Sequence, residues 1–271
     1  MMIDYSNALL PVSETLFIPL AARAAETTSS HPVIMDEKSV EILQTLDLGG
    51  KITDGGMIST LGILARTKII DEEVQQMLNN KPAATIINLG AGLDTRICRM
   101  DNGLLTWYDL DLPEVIQFRR QFFSENERVH FIAQSALDET WMDRIPVRDD
   151  NPVILIAEGL LMYFSEADVA RLLEFVAERF PGAHMFLDVV HSYFIQKKIS
   201  SPFQWGIDHA KDIEKLDNYI QLVQAWSAGD LLRQRQPPLL RMLNILPATK
   251  NRSQILHIQF KSTGVEYATV Q

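Results

Sequence analysis

One apolar run with two glycines directly behind it constrains the fold of this 271-residue chain more than any other stretch. Ile86, Ile87 and Leu89 are apolar and mostly β-branched, which predicts a short strand covered on both faces. Gly90 and Gly92 follow at once, and glycine lets the backbone turn sharply and approach a ligand with no Cβ atom in the way. A strand, a glycine turn and a predicted helix start are typical of the nucleotide-handling end of an α/β sheet.

The glycine turn alone does not decide between a cofactor loop and an ordinary tight turn after a parallel strand. Thr95 stands where the dinucleotide-binding pattern has its third glycine. Asp111 favours the cofactor interpretation, because it ends the next apolar run, about 20 residues beyond the glycine turn. A carboxylate at that position can accept hydrogen bonds from both ribose hydroxyls of a nucleoside.

Three separated segments carry a resemblance to a known family. They are Asn88-Leu89-Gly90-Ala91-Gly92-Leu93-Asp94-Thr95-Arg96, Trp107-Tyr108-Asp109-Leu110-Asp111-Leu112-Pro113-Glu114-Val115 and Ala157-Glu158-Gly159-Leu160-Leu161-Met162-Tyr163. In order and spacing they resemble the leucine carboxyl methyltransferase family. Within that family the likeness is to the bacterial polyketide O-methyltransferases of the tetracenomycin type, and it extends from about Glu14 to Asp188.

The resemblance implies a class I methyltransferase that uses S-adenosyl-L-methionine (SAM) and releases S-adenosyl-L-homocysteine (SAH). The implied fold is α/β and Rossmann-like: a doubly wound sheet of seven mostly parallel strands, with an N-terminal helical lid and a C-terminal antiparallel hairpin. We expect a single methyltransferase domain, because no linker divides the chain. Its parts would be a helical cap at 1–80, a SAM-binding core at 81–190, an insert over the acceptor site at 191–237 and closing strands at 238–271.

Beyond the fifth predicted strand, at residues 185–190, the chain departs from any recognisable pattern. Helical stretches are predicted near residues 207–216 and 219–235, and strands at 239–246 and 254–260. By the resemblance, the two strands are the closing hairpin, joined by residues 247–251.

The resemblance also implies which residues hold SAM. Arg66 lies in a segment similar to the family's Arg-Thr-x-x-x-Asp pattern, where the arginine pairs with the methionyl carboxylate through two parallel hydrogen bonds. The alternative is an exposed helical arginine. Glu158 follows a uniformly apolar strand and so lies over the ligand crevice. A buried carboxylate there needs a cationic partner, such as the ammonium or sulfonium group of SAM.

Further cofactor contacts are implied at the glycine turn and after the second and third predicted strands. The turn at 134–138 would contact the adenine ring, or would be an ordinary loop capped by Ser135 or Asp138. The complete predicted cofactor set is Arg66, Gly90, Ala91, Gly92, Asp111, Leu112, Ser135, Ala136, Leu137, Glu158 and Gly159. No metal is implied, because the six histidines are scattered.

Three residues are candidates for the acceptor side. Tyr163 lies where the family places a tyrosine, although a core aromatic residue is the equal alternative. His191, directly after the fifth strand, is the best-placed general base, although a histidine there is more often structural. Arg23 could bind an acceptor carboxylate or could be a solvated surface residue. A carboxylate acceptor is already ionised, whereas a phenol, with a pKa of about 10, would be helped by a base.

Composition limits the partners. The net charge of −10 argues against a nucleic-acid partner and against an anionic membrane surface. The longest apolar runs are far short of the roughly 20 residues that span a bilayer, and the N-terminus lacks a signal-peptide pattern. Cys98 is the single cysteine, so no internal disulfide can form. We expect a cytoplasmic enzyme with a small-molecule acceptor, its oligomeric state left open.

Three other functions stay open on the sequence. The acceptor could be a protein C-terminal carboxylate, which the polyketide-like form of the motifs disfavours. A nicotinamide-dependent oxidoreductase would share the glycine turn, but Thr95 and the long helical preface count against it. A non-catalytic SAM-binding module would share the cofactor residues.

Overall fold

A seven-stranded sheet lies at the centre of the computed structural model, which describes residues 3–4, 14–47, 56–146, 151–196, 203–245 and 250–261. Two short strands, β1 (Ile3–Asp4) and β2 (Leu46–Asp47), form a separate parallel pair. The strands of the large sheet are β3 (Thr85–Leu89), β4 (Thr106–Asp111), β5 (Val129–Ala133), β6 (Val153–Ala157), β7 (His184–Val190), β8 (Ile220–Ser227) and β9 (Ser253–Phe260).

The order of the strands is β5-β4-β3-β6-β7-β9-β8. The five strands from β5 to β7 are parallel, and β9 runs antiparallel to both β7 and β8. The chain adds strands outward on one side of β3 and then, from β6, on the other side. Ligands of open α/β sheets bind at such a reversal, outside the carboxyl ends of the strands. This topology confirms the predicted α/β fold class, with its doubly wound and mostly parallel sheet.

The helices are concentrated at the N-terminus and between the parallel strands. They are α1 (Phe17–Thr27), α2 (Glu37–Thr45), α3 (Gly56–Asn80), α4 (Arg96–Met100), α5 (Pro113–Arg119), α6 (Glu166–Arg179), α7 (Ser192–Gln196) and α8 (Pro238–Leu243). The Ser165 side chain caps the N-terminus of α6 by accepting a hydrogen bond from the Asp168 amide. None of the helices in the described part of the chain, α3 with its 25 residues included, combines the length and apolarity of a membrane span.

Alternate residues of the central strands pack on opposite faces of the sheet. Ile87 and Leu155 belong to the buried cluster that includes α6, whereas Ile86 and Ile154 belong to the cluster that includes the N-terminal helices. Every residue of β3 and β6 is buried, which is why β6 is uniformly apolar and β3 is apolar except at Thr85 and Asn88. The helices α1 to α3 enter the second cluster through Phe17, Leu20, Ile42, Ile70, Val74 and Leu78.

The C-terminal hairpin is present, but the prediction placed its first strand wrongly. Residues 219–235 were predicted to be helical and contain β8, whereas residues 239–246 were predicted to form a strand and contain α8. The closing strands therefore begin inside the segment assigned to the insert at 191–237. Near 207–216 only a short 3-10 helix forms, Ala210–Lys215. Residues 247–249 of the predicted connection lie outside the described residues.

Two local features explain this correction. Pro238 occupies the first turn of α8, where its missing N–H and fixed φ favour a helix over a strand. The strand β8 lies at the edge of the sheet, and a register shift between Leu222 and Gln224 interrupts its alternation. A half-exposed strand with a bulge carries a weak periodic signal.

Two histidines meet on the antiparallel side of the sheet. The Nδ1 atom of His184 lies 2.8 Å from Nε2 of His257, and the His257 ring stacks on Phe186 with a centroid distance of 4.4 Å. Burial, together with the neighbouring His184, lowers the pKa of His257 to about 4. The folded state therefore holds this imidazole neutral at pH values where an unfolded chain would protonate it.

We predict that lowering the pH from 7 to 4.5 reduces the free energy of unfolding more in the wild type than in a His257→Gln variant. The expected difference between the two reductions is about 2 kcal/mol. The free energy of unfolding falls because, between pH 6.5 and pH 4, His257 binds a proton in the unfolded state but stays neutral in the folded state. Urea unfolding at several pH values measures it. His31→Gln, at an exposed histidine, is the control. An unchanged pH slope in His257→Gln would contradict this assignment.

Candidate active site

A cavity of about 150 Å³ opens at the carboxyl ends of β3 and β6, where the strand order reverses. Helices α1 and α3, the glycine turn and the segment after β6 form its walls. Six of the predicted cofactor residues line it: Arg66, Gly90, Ala91, Gly92, Glu158 and Gly159. Two predicted acceptor residues, Arg23 and Tyr163, line it as well. The structure therefore brings most of the predicted site together.

The glycine turn needs glycine for both conformation and space. Gly90 and Gly92 have φ angles of +64° and +47°, in the left-handed region that side chains disfavour. A Cβ atom on Gly92 would lie 2.6 Å from the Leu16 side chain, and one on Gly90 would lie 2.8 Å from Leu160. The turn therefore packs directly under the segment that precedes α1 and beside the one that follows β6.

Asp111 fixes this turn from the neighbouring strand. Its Oδ2 atom accepts a hydrogen bond of 2.7 Å from the Gly92 amide, and its Oδ1 atom accepts one of 2.7 Å from the Leu112 amide. Burial raises the pKa of the Asp111 carboxyl. Asp111 lies outside the set of described residues that line the cavity. Each oxygen retains capacity for a further bond, so ribose binding by Asp111 stays a prediction.

A row of polar side chains crosses one face of the sheet at this edge. Asp109, Asn88, Glu158 and Asp188 lie on or directly after β4, β3, β6 and β7, which are neighbours in that order. The residue two positions before each one, respectively Trp107, Ile86, Ile156 and Phe186, belongs to the cluster that includes α1 to α3. Side chains two positions apart share a face of a strand, so the whole row points towards these helices.

Arginines from the covering helices neutralise this row. Arg119 on α5 binds Asp109 through Nε at 3.0 Å and Nη2 at 2.7 Å, and both side chains are fully buried. Arg66 on α3 donates from Nε to Glu158 at 2.9 Å and from Nη1 to Asp188 at 2.9 Å. Burial alone would lower the pKa of Arg66, but Asp188 and Glu158 outweigh it and raise that pKa.

Arg96 is the most heavily paired of these cations. Its side chain is 0% exposed and binds Asp71 at 2.6 Å, Asp94 at 2.5 Å and Glu158 at 2.5 Å. The three carboxylates raise the pKa of Arg96 against the effect of burial. Burial by itself would raise the pKa values of Asp94 and Glu158, but their arginine partners lower both.

The same network reaches the N-terminal helices. Arg99 binds Asp71 at 2.8 Å and Asp36 at 3.1 Å, and Asp36 also accepts a 2.8 Å bond from Arg23. Thr95 donates its hydroxyl to Asp36 at 2.5 Å. Arg23 is 3% exposed, so it is not the solvated surface residue that was one alternative. Binding of an acceptor carboxylate by Arg23 stays a prediction.

The connected ion pairs carry an excess of negative charge. In the part of the chain that the structure describes, they join four arginines to five carboxylates: Arg23, Arg66, Arg96 and Arg99 with Asp36, Asp71, Asp94, Asp188 and Glu158. Four members line the cavity: Arg23, Arg66, Asp94 and Glu158. With every carboxylate ionised the network has one net negative charge, which favours a cationic ligand.

Four other predicted cofactor residues lie away from the cavity lining. Leu112 is exposed, and Ser135, Ala136 and Leu137 form the turn after the edge strand β5. Within that turn the Ser135 hydroxyl accepts a bond from the Leu137 amide, and Asp138 caps the following 3-10 helix. This is the ordinary-loop arrangement considered above, and contact with adenine stays a prediction.

Of the two remaining acceptor candidates, Tyr163 lines the cavity and His191 does not, among the residues that the structure describes. Tyr163 is half-buried at the cavity wall, with its ring edge-on to Phe203 at a centroid distance of 5.2 Å. His191 lies outside the set of described residues that line the cavity. Its Nδ1 atom is 3.2 Å from Asp208 and accepts a bond from the Tyr193 amide. These contacts are compatible with the structural alternative, and a role for His191 as a general base stays untested.

Sequence reasoning assigned no role to several members of the network. Arg96 and Asp94 stand in the quoted motif at 88–96, and Asp71 closes the segment that begins with Arg66. Asp188 interrupts the apolar strand β7. Two signals for these positions were available in the sequence. Asp188 is a charged residue in a buried strand, and Arg96 is an arginine inside a predicted cofactor motif.

We predict that Asp71→Asn lowers the free energy of unfolding by about 3 kcal/mol, because it leaves the buried Arg96 guanidinium short of one counter-charge. The neighbouring Glu72→Gln removes an exposed pair with Lys68 on the same helix and should cost less than about 0.5 kcal/mol. Urea unfolding of both variants measures the difference. Equal effects at the two positions would show that the network does not stabilise the fold.

The sequence of the chain matches known proteins over most of its length. The family model of leucine carboxyl methyltransferase matches residues 17–177. The tetracenomycin polyketide synthesis O-methyltransferase TcmP of Streptomyces glaucescens is 28% identical over 231 residues, covering 82% of this chain and 85% of that protein. The S-adenosyl-L-methionine-dependent methyltransferase dpfgK of Gibberella zeae is 28% identical over 271 residues, covering 83% and 90% respectively.

A solved structure shares the fold. The crystal structure of a DUF574 family protein from Streptomyces avermitilis aligns with a TM-score of 0.55 at 10% sequence identity, covering 89% of this chain and 97% of that chain. At this identity the likeness concerns the fold alone. The family model, in contrast, spans more than half of the chain, which therefore belongs to the leucine carboxyl methyltransferase family and is a SAM-dependent methyltransferase.

Proposed function

We propose that this protein transfers the methyl group of SAM to a carboxylate oxygen of a small molecule with an apolar, partly aromatic body. The family membership supplies the methyl-transfer chemistry and argues against the nicotinamide-dependent alternative. TcmP, an O-methyltransferase of polyketide synthesis, supports an oxygen acceptor on a small molecule.

The residues of the cavity fit SAM. Gly90 and Gly92 present backbone without side chains, and Arg66 offers a guanidinium to the methionyl carboxylate. Glu158 and Asp94 offer negative charge to the ammonium and sulfonium groups. SAM, when bound, supplies a methyl group that the sulfonium already activates. The protein then mainly needs to align the acceptor oxygen with that carbon.

The acceptor side of the cavity is apolar and aromatic. Met162, Tyr163, Phe203 and Pro19 line it, with Thr15 among them as a hydroxyl side chain. Tyr163 and Phe203 meet edge-on, which suits a planar ring beside them. This wall favours a hydrophobic body over a strongly polar one.

One observation carries the choice of a carboxylate acceptor: the described lining offers no group that titrates near neutral pH. Histidine, cysteine and lysine are missing from the described residues that line the cavity. The pKa values of Asp94 and Glu158 are lowered by their arginine partners, and burial raises the pKa of Tyr163. An acceptor oxygen must therefore arrive already ionised, as a carboxylate with its pKa of about 4 does.

The test is transfer from methyl-labelled SAM to matched pairs of aromatic carboxylic acids and phenols. We expect label in the acids only, at a turnover that stays constant from about pH 6 to pH 9, since the acceptor is ionised throughout. The product should be a methyl ester, which alkali hydrolyses to release labelled methanol. An alkali-stable aryl ether, or transfer to phenols alone, would overturn the carboxylate assignment.

A second prediction concerns His191. Since its imidazole faces Asp208 and lies outside the described cavity lining, His191→Ala should retain turnover within about twofold and keep the pH profile of the wild type. A general base contributes typically 10²-fold or more. A loss of that size, with a new pH dependence, would restore His191 as the base and would favour a hydroxyl acceptor. Steady-state kinetics on the best acid of the panel measures it.

A further inference from the structure

Asp188 is a buried carboxylate next to the cavity that the family motifs do not mark. Its side chain is 1% exposed, on a strand that is otherwise apolar after its first residue, His184. Its Oδ2 atom accepts from Nη1 of Arg66 at 2.9 Å, and its Oδ1 atom accepts from the Gly159 amide at 2.6 Å. Both of these partners line the cavity. The Asp188 carboxylate thus holds both the Arg66 guanidinium and the backbone turn at Gly159.

Arg66 is held in a way that leaves one end of its guanidinium available. Nε is bonded to Glu158 and Nη1 to Asp188. Among the residues that the structure describes, none accepts a hydrogen bond from Nη2 of Arg66. A guanidinium has five N–H groups, and its Nη1–Nη2 end can bind a carboxylate with two parallel bonds. The two protein carboxylates orient the group and take two of its five N–H groups, so one on Nη1 and both on Nη2 remain for a ligand.

Gly159 makes this arrangement possible. Its φ angle is +69°, and a Cβ atom at this position would lie 3.0 Å from Nη2 of Arg66. The missing side chain leaves the Nη2 group room beside the turn. Because Asp188 binds the Gly159 amide as well as Arg66, it sets the position of the turn and of the guanidinium relative to each other.

We propose that Asp188 is a positioning residue, which holds Arg66 so that the free end of its guanidinium binds the α-carboxylate of the cofactor. The proposal rests on the SAM dependence of the enzyme and on the predicted role of Arg66, and not on the nature of the acceptor. A pre-oriented guanidinium loses less conformational freedom on binding than a mobile one, and so it binds a carboxylate more tightly.

The test compares two nucleosides that differ by the part of the cofactor in question. SAH carries the α-carboxylate, whereas 5′-methylthioadenosine lacks the whole aminocarboxypropyl group. In calorimetry, we expect Asp188→Asn to weaken the binding of SAH about tenfold, as for the loss of one charge-assisted hydrogen bond, and to change that of 5′-methylthioadenosine by less than about twofold. Equal weakening of both nucleosides, or tighter binding of SAH, would overturn the proposal.

A double-mutant cycle makes the test specific for Arg66. In an Arg66→Gln background, Asp188→Asn should cause no further loss of SAH affinity, because the group through which it acts is gone. A tenfold loss that persists in this background would refute the proposal. Thermal unfolding checks that Asp188→Asn folds. If it does not, Asp188→Glu, which displaces the carboxylate by one methylene, replaces it, and its binding of the same two nucleosides is measured. Wild-type protein that binds SAH but methylates no carboxylic acid would disprove only the proposed acceptor.

Discussion

The structure around the site depends on a guanidinium that has no contact with water. Arg96 is fully buried, and a buried cation is tolerated only when its N–H groups and its charge are matched. Its partners are Asp71 on α3, Asp94 in the turn after β3 and Glu158 after β6. Since all three carboxylates must converge on one cation, the helical cap, the glycine turn and the central strand tips cannot move independently.

Stability alone does not explain so many buried charges, because well-packed apolar residues often stabilise a core equally well. The arrangement does account for the properties of the cavity. The connected pairs reach the cavity wall at Arg66 and Glu158 and include one more carboxylate than arginines. SAM carries a carboxylate, which a guanidinium can bind, and ammonium and sulfonium groups, which negative charge favours. The cavity wall offers a guanidinium and carboxylates that the same network of ion pairs holds in place.

The core of the fold was predictable because its signals are local and strong. The strand β6 is uniformly apolar and β3 is mostly so, and Gly90 and Gly92 have positive φ angles, as a sharp glycine turn requires. The exchange of a helix for the strand β8 shows where this reasoning fails. An edge strand packs on one side only, and a bulge between Leu222 and Gln224 shifts its alternation. Pairing with β9, which lies far along the chain, decides the outcome there.

In the candidate site, too, the individual residues were predictable but the contacts between distant segments were not. Arg66, Glu158 and the glycine turn were predicted as separate cofactor contacts, and the structure places them on one cavity. Their pairing with each other could not be predicted, because sequence gives no distances between residues 92 positions apart. The motif at 88–96 also binds the N-terminal helices, which the spacing of its residues in the sequence does not show. Its Thr95 binds Asp36 beside α2, and its Arg96 binds Asp71 on α3, so the segment that contains the glycine turn also anchors the helical cap.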